Sequence, residues 1–484
     1  MTQIDDAHFR DATAIVTLIR RGQIRCVEVL DLALARYDAI NPRLNAVIAA
    51  RIEEARAKAQ KADADLAKGA PPQALFGLPM TVKDGFDVEG LPATSGDKIW
   101  ARRNPACKDA EAVALLRQAG ANLWGKTNVP KRLADLQTYN EIYGATRNPW
   151  ALDRTCGGSS GGAAVAVAAG ISALELGSDL GGSLRIPAAF CGIYSLRPTW
   201  GAISMVGCVP PEPGIEAEFD MWTAGPMARS ARDLRLAFGV LAGSAQRGTA
   251  QRRPDLRGKR IGLWVEEPGF PLASAIGQRL IDAGSALSQA GAVVDLAPPP
   301  VRGDELVDVF LWLLLAQTGA DFTDAQRKAL NWLRPWFAHQ AKNAVHPHTK
   351  AGYALRVLAS HRDWLKADIR RQAIRQAMAR HFDQWDALLC PAAPVTAFPH
   401  QTDKDFIERE IAVDGKAQPY GVLFNWIALA SACGLPVVTL PMGFDAGGLP
   451  IGAQLIGKPG SEEDLIDLAE AMEEVTGRFM PPPI

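Results

Sequence analysis

The chain has 484 residues, 48% of them apolar and 22% charged, with a formal net charge of −1. That length buries a substantial core, the balance lacks the signature of disorder, and near-neutrality gives no overall pull toward nucleic acid or an anionic membrane. The polar start MTQIDDAHFRDA is unlike a secretory leader, no apolar run reaches the ~18–20 residues of a bilayer span, and seven cysteines without a CxxC pair fit reduced thiols in a cytoplasmic protein.

Residues 8–40 read as two helices, the second carrying Val27, Leu30, Leu34 and Tyr37 at helical spacing and stopped by Asn41-Pro42. Residues 49–68 are an Ala-rich charged helix. Pro79–Lys83 is a short buried strand with Lys83 near its end, followed by the turn signal Asp84-Gly85. Glu111–Gln118 is a helix, 121–124 a strand and 127–150 mostly loop. Between 156 and 199 two glycine–serine loops, GGSSGG and GSDLGGS, flank a small-residue helix and an apolar strand. A proline-rich loop (209–214), a helix (230–241) and a basic linker (246–259) come next. Residues 261–265, 272–290 and 292–295 form a βαβ pattern. Residues 304–385 are largely helical and carry Trp312, Trp332, Trp336, Trp364 and Trp385, with 306–316 as a buried helix. Ala387–Pro391, 437–441 and 451–456 are strands, and 462–474 a closing helix. This alternation argues for an α/β fold: one large domain with a mixed sheet, in which 1–70 packs helices on the core, 71–245 carries the chemistry and 246–484 completes the domain.

Two motifs mislead. GANLWGKT, from Gly120, satisfies the phosphate-loop pattern, but its first glycine ends a helix and Pro130 interrupts the segment beyond the motif. A phosphate loop needs the reverse, a strand before and a helix after, so a β-turn after a short strand is the better reading. GGSSG, from Gly157, satisfies the nucleophile elbow, which requires a buried strand before it; here the preceding NPWALDRTC is polar and broken by proline. No histidine lies between residues 9 and 338. His339, His346, His348 and His361 sit in polar sequence and read as surface residues without metal spacing. A triad can still borrow a late histidine, since triads are spatial, but another base is the better reading for a nucleophilic serine. Lys83, among apolar neighbours in PMTVKDG, is the candidate, since burial lowers a lysine from its ordinary ~10.4; a strand-end lysine reaching to solvent is the plain alternative. Ser183 follows two glycines, and the amides of Leu180, Gly181, Gly182 and Ser183 are candidate oxyanion donors. The glycine richness reads as main chain approaching an acyl oxygen.

The combination VKD, GGSSGG, GSDLGGSLRIPAAFCG and RPTWG resembles the amidase signature family of serine hydrolases. The likeness runs from about residue 75 to 243 and resumes in NWIALASACGLPVVTLPMG. It implies a single α/β domain with a large, twisted, mixed central sheet flanked by helices. It also implies Ser183 as nucleophile, Ser159 as a bridging serine after a cis peptide, Lys83 as base, and Ser160 as a hydrogen-bonding residue behind them, with Asp179 and Arg185 supporting the loop. Cys156, Ala163 and Arg197 depart from the family's frequent proline, serine and lysine. Arg185 fits either a substrate carboxylate or an ion pair holding the loop, the latter favoured.

Amide, anilide or urethane hydrolysis through an acyl-enzyme on Ser183 is the leading expectation. One alternative is the glutaminase subunit of a tRNA-dependent amidotransferase. Another is an esterase with Ser159 as elbow nucleophile. Thr138, Tyr139, Asn140, Trp332 and Trp336 are candidate pocket residues. Neither a cofactor nor a metal is expected, nor nucleic acid or a membrane span; a small-molecule substrate is, and a homodimer is allowed for.

Overall fold

One sheet of eleven strands runs through the computed structural model, which describes residues 8–209, 216–243, 255–319, 322–344 and 346–484. Its strands are β1 (Val47–Ala50), β2 (Pro79–Lys83), β3 (Asn122–Thr127), β4 (Leu174–Asp179), β5 (Tyr194–Arg197), β6 (Thr223–Ala228), β7 (Arg260–Leu263), β8 (Val293–Leu296), β9 (Ala387–Pro391), β10 (Val437–Phe444) and β11 (Pro450–Ile456). Their order is β1-β3-β2-β4-β6-β5-β10-β11-β9-β7-β8. β2 pairs in parallel with β3 and β4, and β9–β7–β8 are also parallel. The intervening pairs are antiparallel, so the sheet is mixed, as expected.

The helices are α1 (Ala12–Arg20), α2 (Cys26–Leu44), α3 (Ile52–Ala67), α4 (Glu111–Gln118), α5 (Gly161–Ala168), α6 (Arg185–Cys191), α7 (Ala231–Leu241), α8 (Ser274–Gln289) and α9 (Gly303–Thr318). They continue with α10 (Asp324–Trp332), α11 (Arg334–Lys342), α12 (Lys350–Val357), α13 (His361–His381), α14 (Ala428–Cys433) and α15 (Glu462–Thr476). Strands buried on both faces read as unbroken apolar runs. β2, β4 and β9 are buried at every position. Among the described residues no helix is long and apolar enough to cross a membrane.

Several expectations change. α2 runs through Asn41-Pro42 and ends at Asn45, in the left-handed conformation at φ 54°. The buried Asn41 side chain accepts the amides of Ala46 and Val47 and donates to the Val47 carbonyl, so it shapes the exit instead of stopping the helix. The start of the 49–68 segment is an edge strand, β1, paired with β3. GANLWGKT is no turn: Asn122 to Thr127 is β3 itself, and Gly125 within it lies against the Ala49 carbonyl, 2.9 Å from where a Cβ would stand. β5 and β6 have no counterpart among the expected strands. Helix 306–316 is buried as expected, within α9. Most of the proline-rich loop and of the basic linker lies outside the described residues.

Candidate active site

β2 and β4 are neighbours, and their carboxyl ends bring together residues distant in sequence. Lys83 closes β2, fully buried. Its Nζ donates to Ser159 Oγ at 2.8 Å, Ser160 Oγ at 2.8 Å, Ser178 Oγ at 3.0 Å and the Ser178 carbonyl at 3.3 Å. The lysine does not reach to solvent. Burial lowers its ammonium to about 7. Cys208, Asp179 and Glu175 pull the other way, but burial pushes the Cys208 thiol up to about 12 and the Glu175 carboxyl up to about 8. Both are uncharged at neutral pH, and Asp179 is already paired with two guanidinium groups. Desolvation therefore decides the lysine's charge.

The peptide between Gly158 and Ser159 is cis. The glycines around it serve chain-on-chain packing. A Cβ at Gly158 would stand 2.8 Å from the Asp135 carbonyl, and one at Gly162 would stand 2.4 Å from the Asn128 amide. Thr138 Oγ1 donates to the Gly157 carbonyl and accepts from the Gly161 amide, so this residue staples the serine loop. Gly162→Ala has only backbone to push against, and we expect it to cost about 1–3 kcal/mol, read as a lower urea midpoint.

The second loop leaves β4 and enters α6, and the Ser160 amide donates to the Ser183 carbonyl at 3.2 Å, tying the two loops. The Asp179 carboxylate accepts from the amides of Gly182 and Leu184, both at 3.0 Å, and from Arg185 Nε and Nη2 at 3.0 and 2.9 Å. Burial alone would raise this carboxyl; the charges of Arg185 and Arg197, with these hydrogen bonds, hold it well below the carboxylate range. Arg185 also donates to the Ile427 carbonyl, Gln454 Oε1 and Ser431 Oγ. It is an ion-pair anchor with no donor left for a substrate carboxylate. Of the four candidate oxyanion donors, Gly182 is committed to Asp179; the amides of Leu180, Gly181 and Ser183 find no acceptor among the described residues. Ser183 Oγ is likewise unbonded there, and Ser183 is the most exposed of these serines at 7%. Phe424 and Phe310 wall the loop, 3.2 and 3.8 Å from where a Gly181 Cβ would stand, with Ile427 beside Gly182.

A family model described as Amidase matches residues 28–466. The chain belongs to the amidase family. Its relatives act on or transfer amide carbon–nitrogen bonds, and it is an enzyme of that hydrolase class. It is 32% identical to a glutamyl-tRNA(Gln) amidotransferase subunit of Cyanothece sp., over 93% of this chain and 94% of that one. Solved structures similar to this amidase include a bacterial aryl acylamidase of the amidase signature family, at TM-score 0.79 and 26% identity over 97% of each chain. Another is 6-aminohexanoate cyclic dimer hydrolase, at TM-score 0.76 and 26% identity over 98% of this chain and 99% of that one.

The remaining candidates of this amidase fall elsewhere. Tyr139 OH accepts from Arg409 Nη2, and the same guanidinium pairs through Nη1 with Asp135. Asn140 is buried in a turn, bonded to Asn128 and Val129. Trp332 and Trp336 are 83% and 53% exposed, neither core nor wall of the serine loops. His348 is no surface residue: it is buried against Tyr353 OH and Asn425 Oδ1. Sequence reasoning missed Ser178, which touches Lys83 twice. Alternation along β4 gave no signal for it, because the register sets Val82, not Lys83, on the side of Leu176 and Ser178, and the contact forms only where both strands end.

Proposed function

We propose that this amidase hydrolyses amides of apolar or aromatic acids through an acyl-enzyme on Ser183, with Lys83 as base through Ser159. The carrying observation is a fully buried lysine, lowered to about 7, at 2.8 Å from Ser159 Oγ. Neutral Lys83 takes the Ser159 proton while Ser159 takes that of Ser183, and Ser183 Oγ bonds to the carbonyl carbon. Ser159 and Ser183 share no hydrogen bond here; such contacts tighten when substrate arrives. The oxyanion meets the unbonded amides of Leu180, Gly181 and Ser183. The carbon–nitrogen bond then breaks, and the proton returns through Ser159 to the leaving nitrogen. Water attacks the ester, giving its proton to the same relay, and Ser183 recovers a proton as the acid departs.

A second reading, the glutaminase subunit of an amidotransferase, is favoured by the sequence relatives. Against it stands the wall: glutamine brings an ammonium and a carboxylate, and beside Gly181 and Gly182 stand Phe424, Phe310 and Ile427. The esterase reading with Ser159 as nucleophile suits the geometry less, because Ser159 is bonded to Lys83 and more buried than Ser183. The test sets an apolar anilide against L-glutamine, each with enzyme alone. Anilide turnover should exceed ammonia release from glutamine, with kcat/KM rising through pH 7 as Lys83 loses its proton. Glutamine turnover with no anilide turnover would establish the second reading instead.

A further inference from the structure

The net charge of −1 hides a strong polarity. Residues 324–381 hold twelve Lys and Arg against three Asp, a net +9, which leaves −10 for the rest of the chain. These residues form the α10–α13 layer, where Arg356, Arg370 and Arg371 are paired with Asp308, Glu305 and Asp220 from outside it, so the outward charge rests on the other basic residues. α10 has no buried residue and α11 only Phe337, so both lie on the outside of the molecule.

The same layer displays apolar side chains. Trp332, Leu333 and Trp336 are exposed on α10–α11, and Leu365 and Ile369 on α13, the last at 69%. Leu365 and Ile369 are one turn apart on a helix whose buried residues are Ala367, Arg371, Ile374 and Met378, so they share the outward side. Arg362 and Lys366 flank them there, and Lys328 stands one turn before Trp332. The two groups are tied together: Arg334 Nη1 donates to the Leu358 carbonyl at 2.7 Å and Nη2 to Asp363 at 2.9 Å, joining the start of α11 to that of α13. Lys328, Arg362 and Lys366 make no ion pair among the described residues.

We infer that the α10–α13 layer docks this protein on the surface of an anionic phospholipid bilayer, by Trp332, Trp336, Leu365 and Ile369 and the lysines and arginine beside them. Tryptophans and aliphatic side chains ringed by basic residues match the boundary between headgroups and acyl chains. A second copy of the chain is a poor occupant, because a twofold contact sets the exposed, unpaired Lys328, Arg362 and Lys366 of one copy against the same residues of the other. Nucleic acid fits the charge but not the side chains: bases stack on aromatic faces, and Leu333, Leu365 and Ile369 offer none.

The experiment is co-sedimentation of the full chain with vesicles of phosphatidylcholine alone and of phosphatidylcholine with phosphatidylglycerol. The protein should pellet with the anionic vesicles only, and less so as salt rises. Lys328→Gln, Arg362→Gln and Lys366→Gln should each weaken partitioning roughly five-fold. Trp332→Ser with Trp336→Ser should abolish it, with amide hydrolysis and melting temperature unchanged. No pelleting with anionic vesicles overturns the inference, as does pelleting that none of these substitutions weakens. A vesicle-negative protein that shifts structured RNA, or whose dimer the tryptophan substitutions dissolve, overturns it in favour of those partners.

Discussion

Replacing Lys83 with methionine is expected to lower amide hydrolysis by a factor on the order of 10³ or more while leaving the fold intact. Ser183→Ala should fall at least as far and should also lose covalent labelling by a fluorophosphonate, whereas Ser159→Ala should slow labelling at Ser183 without moving it. The lysine substitution carries a second readout that a merely structural residue would not give. The folded Lys83 value, about 7, lies below the ~10.4 of an unfolded chain. Between these values the unfolded state binds more protons, so wild-type stability rises with pH across that window. The burial penalty is full below pH 7 and gone above about 10.4. Lys83→Met removes this slope, and unfolding midpoints of wild type and variant should converge as pH rises from 7 toward 10. Parallel curves, or full activity in the variant, would refute a neutral buried base.

The second large effect is structural. Asp179→Ala leaves Arg185 and Arg197 facing each other in a fully buried site. Removing one partner of a buried ion pair costs about 3–5 kcal/mol, a large share of the ~5–15 kcal/mol that holds a typical protein folded. The urea midpoint should drop accordingly. The loss should persist at high salt, because a buried pair is screened far less than a surface one. It also frees the Gly182 and Leu184 amides from their acceptor, so hydrolysis should fail wherever the variant still folds. Asp179→Asn keeps an oxygen acceptor and should recover part of the stability. An unchanged midpoint in Asp179→Ala would mean that the pair does not hold the loop.

Much of this is legible in the sequence where one residue type has one physical use. A lysine inside an apolar run, and serines after paired glycines, mark β2 and both loops. The features that stay hidden depend on neighbours distant in the chain. β1 is hidden because VIAA in an Ala-rich stretch suits a helix, and only its pairing with β3 makes it a strand. Gly182 reads as a free donor until Asp179, three residues before it, folds back to claim it. His348 reads as exposed because its cover, Asn425 and Tyr353, includes a residue 77 positions away. Trp332 and Trp336 read as pocket residues because exposed tryptophan is unusual, and periodicity does not say which side of a helix lacks a partner.

Arg185 reaches from the Ser183 loop to Ile427, Ser431 and Gln454, and this sets an order on synthesis. Ser183 leaves the ribosome early, yet Gln454 follows it by 271 positions. At roughly 5–20 residues per second the nascent chain carries its serine for some tens of seconds before the last partner of that guanidinium emerges. A chain interrupted between the two holds the Ser183 loop without the Gln454 contact, and on the proposed mechanism it is expected to be inert; a fragment ending before residue 454 that still hydrolyses an anilide would refute this.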